Sequence, residues 1–243
     1  MRFSDELRKR HPALATQLDE LEGFLAQYDS RFKRRLTSQL HRPRRLLGHR
    51  CAHLLLTSLS RARFLTATVV HCANGGLAPG MYLAVRAHWE MTGLVSHLLI
   101  TLRKFYAGEI TEAELDSTMA KLALGRRWEI PSTVQEDIKA INAITLIGSA
   151  GKLLDNQDAE ELVKDCYDFL CEHCHPNLFA RLTGVTISED LRVVDFDPRF
   201  VIDESDLGSC LSRGAFSHVL FFLAYDQCFS LLNEHEEMPT LEE

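Results

Sequence analysis

Residues 79–106, PGMYLAVRAHWEMTGLVSHLLITLRKFY, decide the fold class. Read at 3.6 residues per turn, the stretch is apolar on most of its circumference, which predicts a long helix central to a bundle. Arg86, His88, Glu90 and His97 lie within the apolar run around 81–102 and argue against a membrane span. Tyr82, Arg86, Glu90, Gly93, His97 and Thr101 share one stripe. A charge on an otherwise apolar helix needs a partner. Arg86 and Glu90, four apart, therefore read either as a buried ion pair or as the floor of a polar pocket. In the second reading Arg86 binds an anion and Glu90 orients it.

Upstream, residues 43–72 predict another long helix that stops at Asn74-Gly75-Gly76. One face carries Leu47, Cys51, Leu54, Leu55, Ser58, Ala62, Leu65 and Val69. The opposite stripe carries Arg50, His53, Thr57, Arg61 and His71, so the polar side is cationic and rich in imidazole. A first helix is expected over residues 4–28, with Ser4 as its cap. Downstream, helices are expected at 111–124, 133–154, 158–174 and 206–234, with a mobile acidic tail after the last. Around residues 184–202, β-branched residues alternate with polar ones, which predicts a short hairpin. The expected fold is mainly α: a multi-helix bundle with a small β-hairpin insertion. Residues 1–42 read as a basic helical segment and 43–243 as the bundle core, together one continuous domain.

Charge is distributed unevenly over the 243 residues. The net charge of −7 conceals a run of sixty residues, 30–89, without a single Asp or Glu. A long acid-free basic run attracts anions, and RNA, DNA, phosphorylated small molecules and acidic membranes are the candidate classes. Of these, RNA or another polyanion is the partner expected here. The alternative is that the arginines pair with the acidic second half, within one chain or across a homodimer, giving a non-enzymatic interaction module.

Several chemistries lack their motifs. There is no P-loop, no G-x-G-x-x-G and no G-x-S-x-G. Cys171 and Cys174 form one C-x-x-C, but a zinc site of this kind needs a second pair. Neither a metal nor a cofactor is expected. Seven cysteines without an export signal read as free thiols in a reducing cytoplasm.

Two Arg-x4-His spacings fall on predicted helices, Arg44 to His49 and Arg213 to His218. Such a pair suits metal-independent RNA cleavage. The imidazole moves a proton and the guanidinium stabilises the charged transition state. These four are the candidate catalytic residues. Arg50, His53, Arg61, Arg86, Glu90, His97, Tyr167 and His175 are the candidate anion-binding or pocket residues.

The order of landmarks resembles a group of bacterial helical proteins. In that group a mid-chain helix carries Arg-x3-Glu, here Arg86 and Glu90. A later helix carries Tyr-x2-Leu and ends in His-Pro, here Tyr167, Leu170, His175 and Pro176. Some of those proteins resemble the HEPN superfamily of helical bundles, which includes RNA-cleaving toxins and phage-defence effectors. The resemblance implies a dimer with an Arg-x4–6-His site.

Overall fold

The structure, a computed structural model, describes residues 1–33, 35–37, 43–125, 138–175, 180, 185–190, 192–196 and 203–242. The chain is mainly α. Its helices are α1 (Asp5–Arg10), α2 (Ala15–Arg31), α3 (Pro43–Asn74), α4 (Ala78–Tyr106), α5 (Glu112–Leu124), α6 (Ala143–Lys152), α7 (Gln157–Cys174) and α8 (Glu204–Glu234). The strands are β1 (Arg35–Thr37), β2 (Val185–Ile187), β3 (Val194–Phe196) and β4 (Thr240–Glu242). β2 and β3 pair antiparallel as the expected hairpin, with Thr186 opposite Asp195.

Local chemistry sets the helix boundaries. Ser4 caps α1, its hydroxyl accepting from the Leu7 amide. The single first helix expected over 4–28 is broken at His11, because a proline disfavours the helical conformation of the residue before it. His11 has φ −128° and ψ 64°, and Pro12 opens a short 3-10 turn that leads into α2. α3 ends where Gly76 takes φ +68° and the Leu77 amide donates to the Cys72 carbonyl, a glycine-dependent stop. Thr111 and Glu114 form a reciprocal capping box on α5. α6 starts at Ala143, capped by Asn142, and so later than the expected 133; residues 133–137 of that expectation lie outside the described residues.

The chain forms two compact units. The first comprises Met1–Arg31, Ser60–Trp89 and Glu161–Val219. The second comprises Phe32–Leu59, Glu90–Glu160 and Leu220–Glu243. The long helices α3, α4 and α8 each contribute a segment to both. In the first unit, Leu18, Leu21 and Leu25 of α2, Met81 and Val85 of α4, Leu170 of α7 and Leu211 of α8 are buried. α8 packs on α2 and α4 at Gly214, where a Cβ would make ordinary contacts, 3.7 Å to Val85 and 4.0 Å to Leu21. Each such aliphatic side chain contributes about 1.5–3 kcal/mol by leaving water.

In the second unit the core is Leu54, Leu55 and Leu59 of α3, Val95, Leu98 and Leu102 of α4, Leu115 and Met119 of α5, Ile147 of α6, and Leu220, Phe221, Tyr225 and Leu232 of α8. Gly93 allows α6 to lie directly against α4, since a Cβ at that position would meet the Leu146 carbonyl carbon at 2.6 Å.

Within residues 235–242 after α8, where acidity led to the expectation of a mobile tail, there is a paired strand. β4 pairs antiparallel with β1, placing Arg35 opposite Glu242, Leu36 opposite Leu241 and Thr37 opposite Thr240. Glu237 is buried. By length and composition α8 is apolar enough to cross a membrane, and 50% of its most apolar window is buried within the protein.

Candidate functional site

A groove of about 690 Å³ opens in the second unit between α3 and α5. Its polar lining is His49, Arg50, His53 and Thr57 from α3 and Asp116 from α5. Its apolar lining is Leu54 from α3 with Met119, Ala120 and Ala123 from α5. The arrangement follows from the amphipathicity of α3. Leu47, Cys51, Leu54, Leu55 and Ser58 are buried, which leaves Arg50, His53 and Thr57 exposed on the other side.

Arg50 Nη1 donates to Asp116 Oδ1 at 2.9 Å, with both side chains about half exposed. A pair that open to water contributes little stability. His49 Nδ1 is buried and has no hydrogen-bond partner among the described residues. Behind the groove, Cys51 Sγ lies 3.6 Å from Met119 Sδ. Burial pushes the Cys51 thiol up to about 12, which makes it a packing group rather than a nucleophile.

The other predicted catalytic pair is not brought together. His218 is buried inside the first unit, and both its ring nitrogens are engaged. Nδ1 lies 2.6 Å from the Gly214 carbonyl oxygen and Nε2 lies 2.7 Å from Thr66 Oγ1. A carbonyl can only accept, so Nδ1 carries the proton. Burial pushes the imidazole down to about 4, so Nε2 stays an acceptor and the Thr66 hydroxyl donates to it.

The His218 ring stacks on His88 at 3.9 Å and on Phe24 at 4.8 Å. His88 is itself held by Tyr28 Oη at 2.6 Å and Ser217 Oγ at 2.8 Å. This sealed network joins α2, α3, α4 and α8 within one unit, and no substrate phosphate reaches it. Arg213 points elsewhere. Its Nη1 donates to the Ser209 carbonyl, and its guanidinium carbon lies 3.8 Å over the Phe169 ring. It borders a shallow depression with Leu14, Glu204, Ser205, Gly208, Ser209 and Ser212.

The remaining candidates are dispersed. Arg44 falls on the first turn of α3, and its side chain lies outside the described residues. Arg61 is exposed in the first unit, 5.6 Å from the Phe64 ring. Arg86 Nη2 donates to Tyr167 Oη at 3.2 Å and the guanidinium lies 5.5 Å from that ring. Tyr167 is thus a partner of Arg86. His97 Nδ1 lies 2.9 Å from Ser149 Oγ, and burial, followed by Lys104 and Lys152, lowers its pKa. His175 is exposed just beyond α7. Pro176, which follows it, lies outside the described residues.

No disulfide joins any of the seven cysteines, all of which lie among the described residues. Among the described residues, no group of three or more His, Cys, Asp or Glu is placed to hold a metal ion. Sequence reasoning missed Asp116 and Met119, because only folding brings α5 to α3. It also missed Tyr28, Thr66, His88 and Ser217 as one network. The available signal was a histidine on each of two apolar helices, since a buried imidazole requires hydrogen-bond partners. No family model, no curated protein and no solved structure matches this chain.

Proposed function

We propose that the chain binds single-stranded RNA in the α3–α5 groove and cleaves it without a metal. One observation carries this reading: His49, Arg50 and His53 line a single open cavity beside an apolar wall. The volume is within the range of small-ligand sites. The wall of Leu54, Met119, Ala120 and Ala123 suits the flat face of a base, and Arg50 suits a phosphate once it leaves Asp116. The acid-free stretch 30–89 supplies the attraction for a polyanion.

Imidazole is the side chain that both accepts and donates a proton near neutral pH. One of the two histidines takes the proton of the ribose 2′-hydroxyl as its oxygen attacks phosphorus. The other protonates the departing 5′-oxygen. The phosphorus–5′-oxygen bond breaks, leaving a 2′,3′-cyclic phosphate and a free 5′-hydroxyl. Arg50 offsets the charge on the five-coordinate phosphorus. Arg86, Glu90, Tyr167, Leu170, His175 and Pro176 carry a resemblance to bacterial helical proteins, some of which resemble HEPN proteins, and this extends the reading to a cytoplasmic, dimeric RNA-cleaving protein of the toxin or phage-defence kind.

The test is binding and cleavage of a labelled single-stranded RNA in EDTA. Affinity is expected to fall steeply from about 50 mM to about 200 mM salt. Cyclic-phosphate ends are expected from the wild-type protein and from Arg213→Ala, but not from His49→Ala or His53→Ala. An absence of RNA binding by the wild-type protein at low salt sinks the proposal.

A second reading, a non-enzymatic interaction module, is favoured by two ion pairs. Arg50 meets Asp116 and Arg63 meets Asp29, so part of the basic stretch is already neutralised within the chain. It predicts a salt-sensitive homodimer and little RNA affinity at moderate salt.

A further inference from the structure

We infer that the acidic segment after α8, residues 235–242, is an intramolecular latch. It closes over the basic start of the second unit and is displaced when RNA binds. The inference rests on the RNA-binding reading above and names a regulation of that site. Four observations place the latch. β4 hydrogen-bonds along β1, so the backbone of the basic segment is paired with an acidic one. Tyr106 Oη donates to Glu237 Oε2 at 2.8 Å. The Tyr106 and His235 rings stack at 3.7 Å, 3° from parallel. The Glu237 backbone also fits against Gly48 so closely that a Cβ on Gly48 would fall 1.7 Å from the Glu237 carbonyl oxygen.

The chemistry of the segment matches what it covers. Residues 235–242 hold Glu236, Glu237 and Glu242 and no Lys or Arg. Their counterpart is the part of the chain that has no acid of its own, with Lys33 before β1, Arg35 in β1 and Arg50 on α3. A polyanion approaching β1 therefore meets a strand already paired with a segment of acidic sequence. The groove lining contains no residue of the segment, so the latch competes for the basic approach and leaves the groove itself open. A short two-stranded ladder is weak on its own, as a device that must open requires. Gly48 and Tyr106 add the contacts that keep it closed.

The experiment uses the full chain. Gly48→Ala forces the Glu237 backbone away, and Tyr106→Phe removes the hydrogen bond without altering the ring. Each is compared with wild type for affinity toward a labelled single-stranded RNA and for amide exchange of residues 240–242. Both variants are expected to bind RNA more tightly, by about tenfold for a latch closed nine times in ten. Adding RNA to the wild-type protein is expected to speed exchange at 240–242. If Gly48→Ala fails to fold, Tyr106→Phe and the wild-type exchange experiment decide alone. RNA binding with unchanged exchange and equal affinities overturns the latch and leaves the RNA reading standing. No binding by any of the three proteins overturns the RNA reading and, with it, the latch as a competitor.

Discussion

The imidazoles of His88 and His218 stack 3.9 Å apart, 19° from parallel, inside the first unit. Two rings in that geometry cannot both hold a second proton without like-charge repulsion in a medium of low dielectric. Burial first, and His218 second, lowers His88 well below its ordinary value. His218 is lowered to about 4, chiefly by burial. The other titratable group in the network is Tyr28, which burial raises and which faces Arg31.

Stability should therefore fall as the solution is acidified. Both histidines have folded-state values below the unfolded value of about 6.5, so the unfolded chain takes up protons first. Their contribution is complete above about pH 6.5 and is lost progressively toward pH 4, about 3 kcal/mol from His218 alone. Urea unfolding at a series of pH values measures it. A His218→Gln variant should show a shallower acid slope, and an equal slope would count against the stacked pair as its origin.

Arg86→Ala should destabilise the protein by about 1–3 kcal/mol. It removes the hydrogen bond to Tyr167 and the cation–π contact with the same ring, both partly buried. Arg61→Ala, on an exposed surface beside Phe64, should cost at most about 1 kcal/mol. Equal midpoints in parallel denaturation curves would show that the Arg86 contacts carry no more than surface ones.

Two glycines should respond with opposite signs. Gly93→Ala drives a methyl group into the Leu146 backbone and should cost about 1–3 kcal/mol. Gly148→Ala meets nothing within 4 Å on an exposed face of α6, and should stabilise by about 0.4–1 kcal/mol through the unfolded state. Thermal melts of the two variants decide both.

His49→Ala and His53→Ala should leave the melting temperature within a degree or two, because both side chains stand at the groove rather than in the core. The RNA cleavage proposed for the groove should be lost in each. A large drop in melting temperature would instead mark the histidines as structural.

Periodicity made much of the architecture legible before any coordinates. The buried row on α3 from Leu47 to Val69 and its exposed row of Arg50, His53, Thr57, Arg61 and His71 follow directly from 3.6 residues per turn. The Val185–Phe196 hairpin and the Thr111 cap likewise lie in local chemistry. Local chemistry also explains the break at His11, the residue before Pro12.

The site was legible only in part. The nature of the groove-facing residues on α3 is written in one helix, but the facing wall of Asp116 and Met119 comes from another. The sequence by itself determined a mainly helical chain and a cationic, acid-free face. Tertiary structure alone decided which histidine borders a groove. His49 and His218 have the same Arg-x4-His spacing, yet one borders an open cavity while the other is sealed beside His88. Spacing along a helix sets direction around its own axis; what covers that direction depends on partners far away in the chain. The acidic segment after α8 teaches the same lesson. Its charge predicted mobility, and pairing with β1 and Tyr106, remote in sequence, holds it in place.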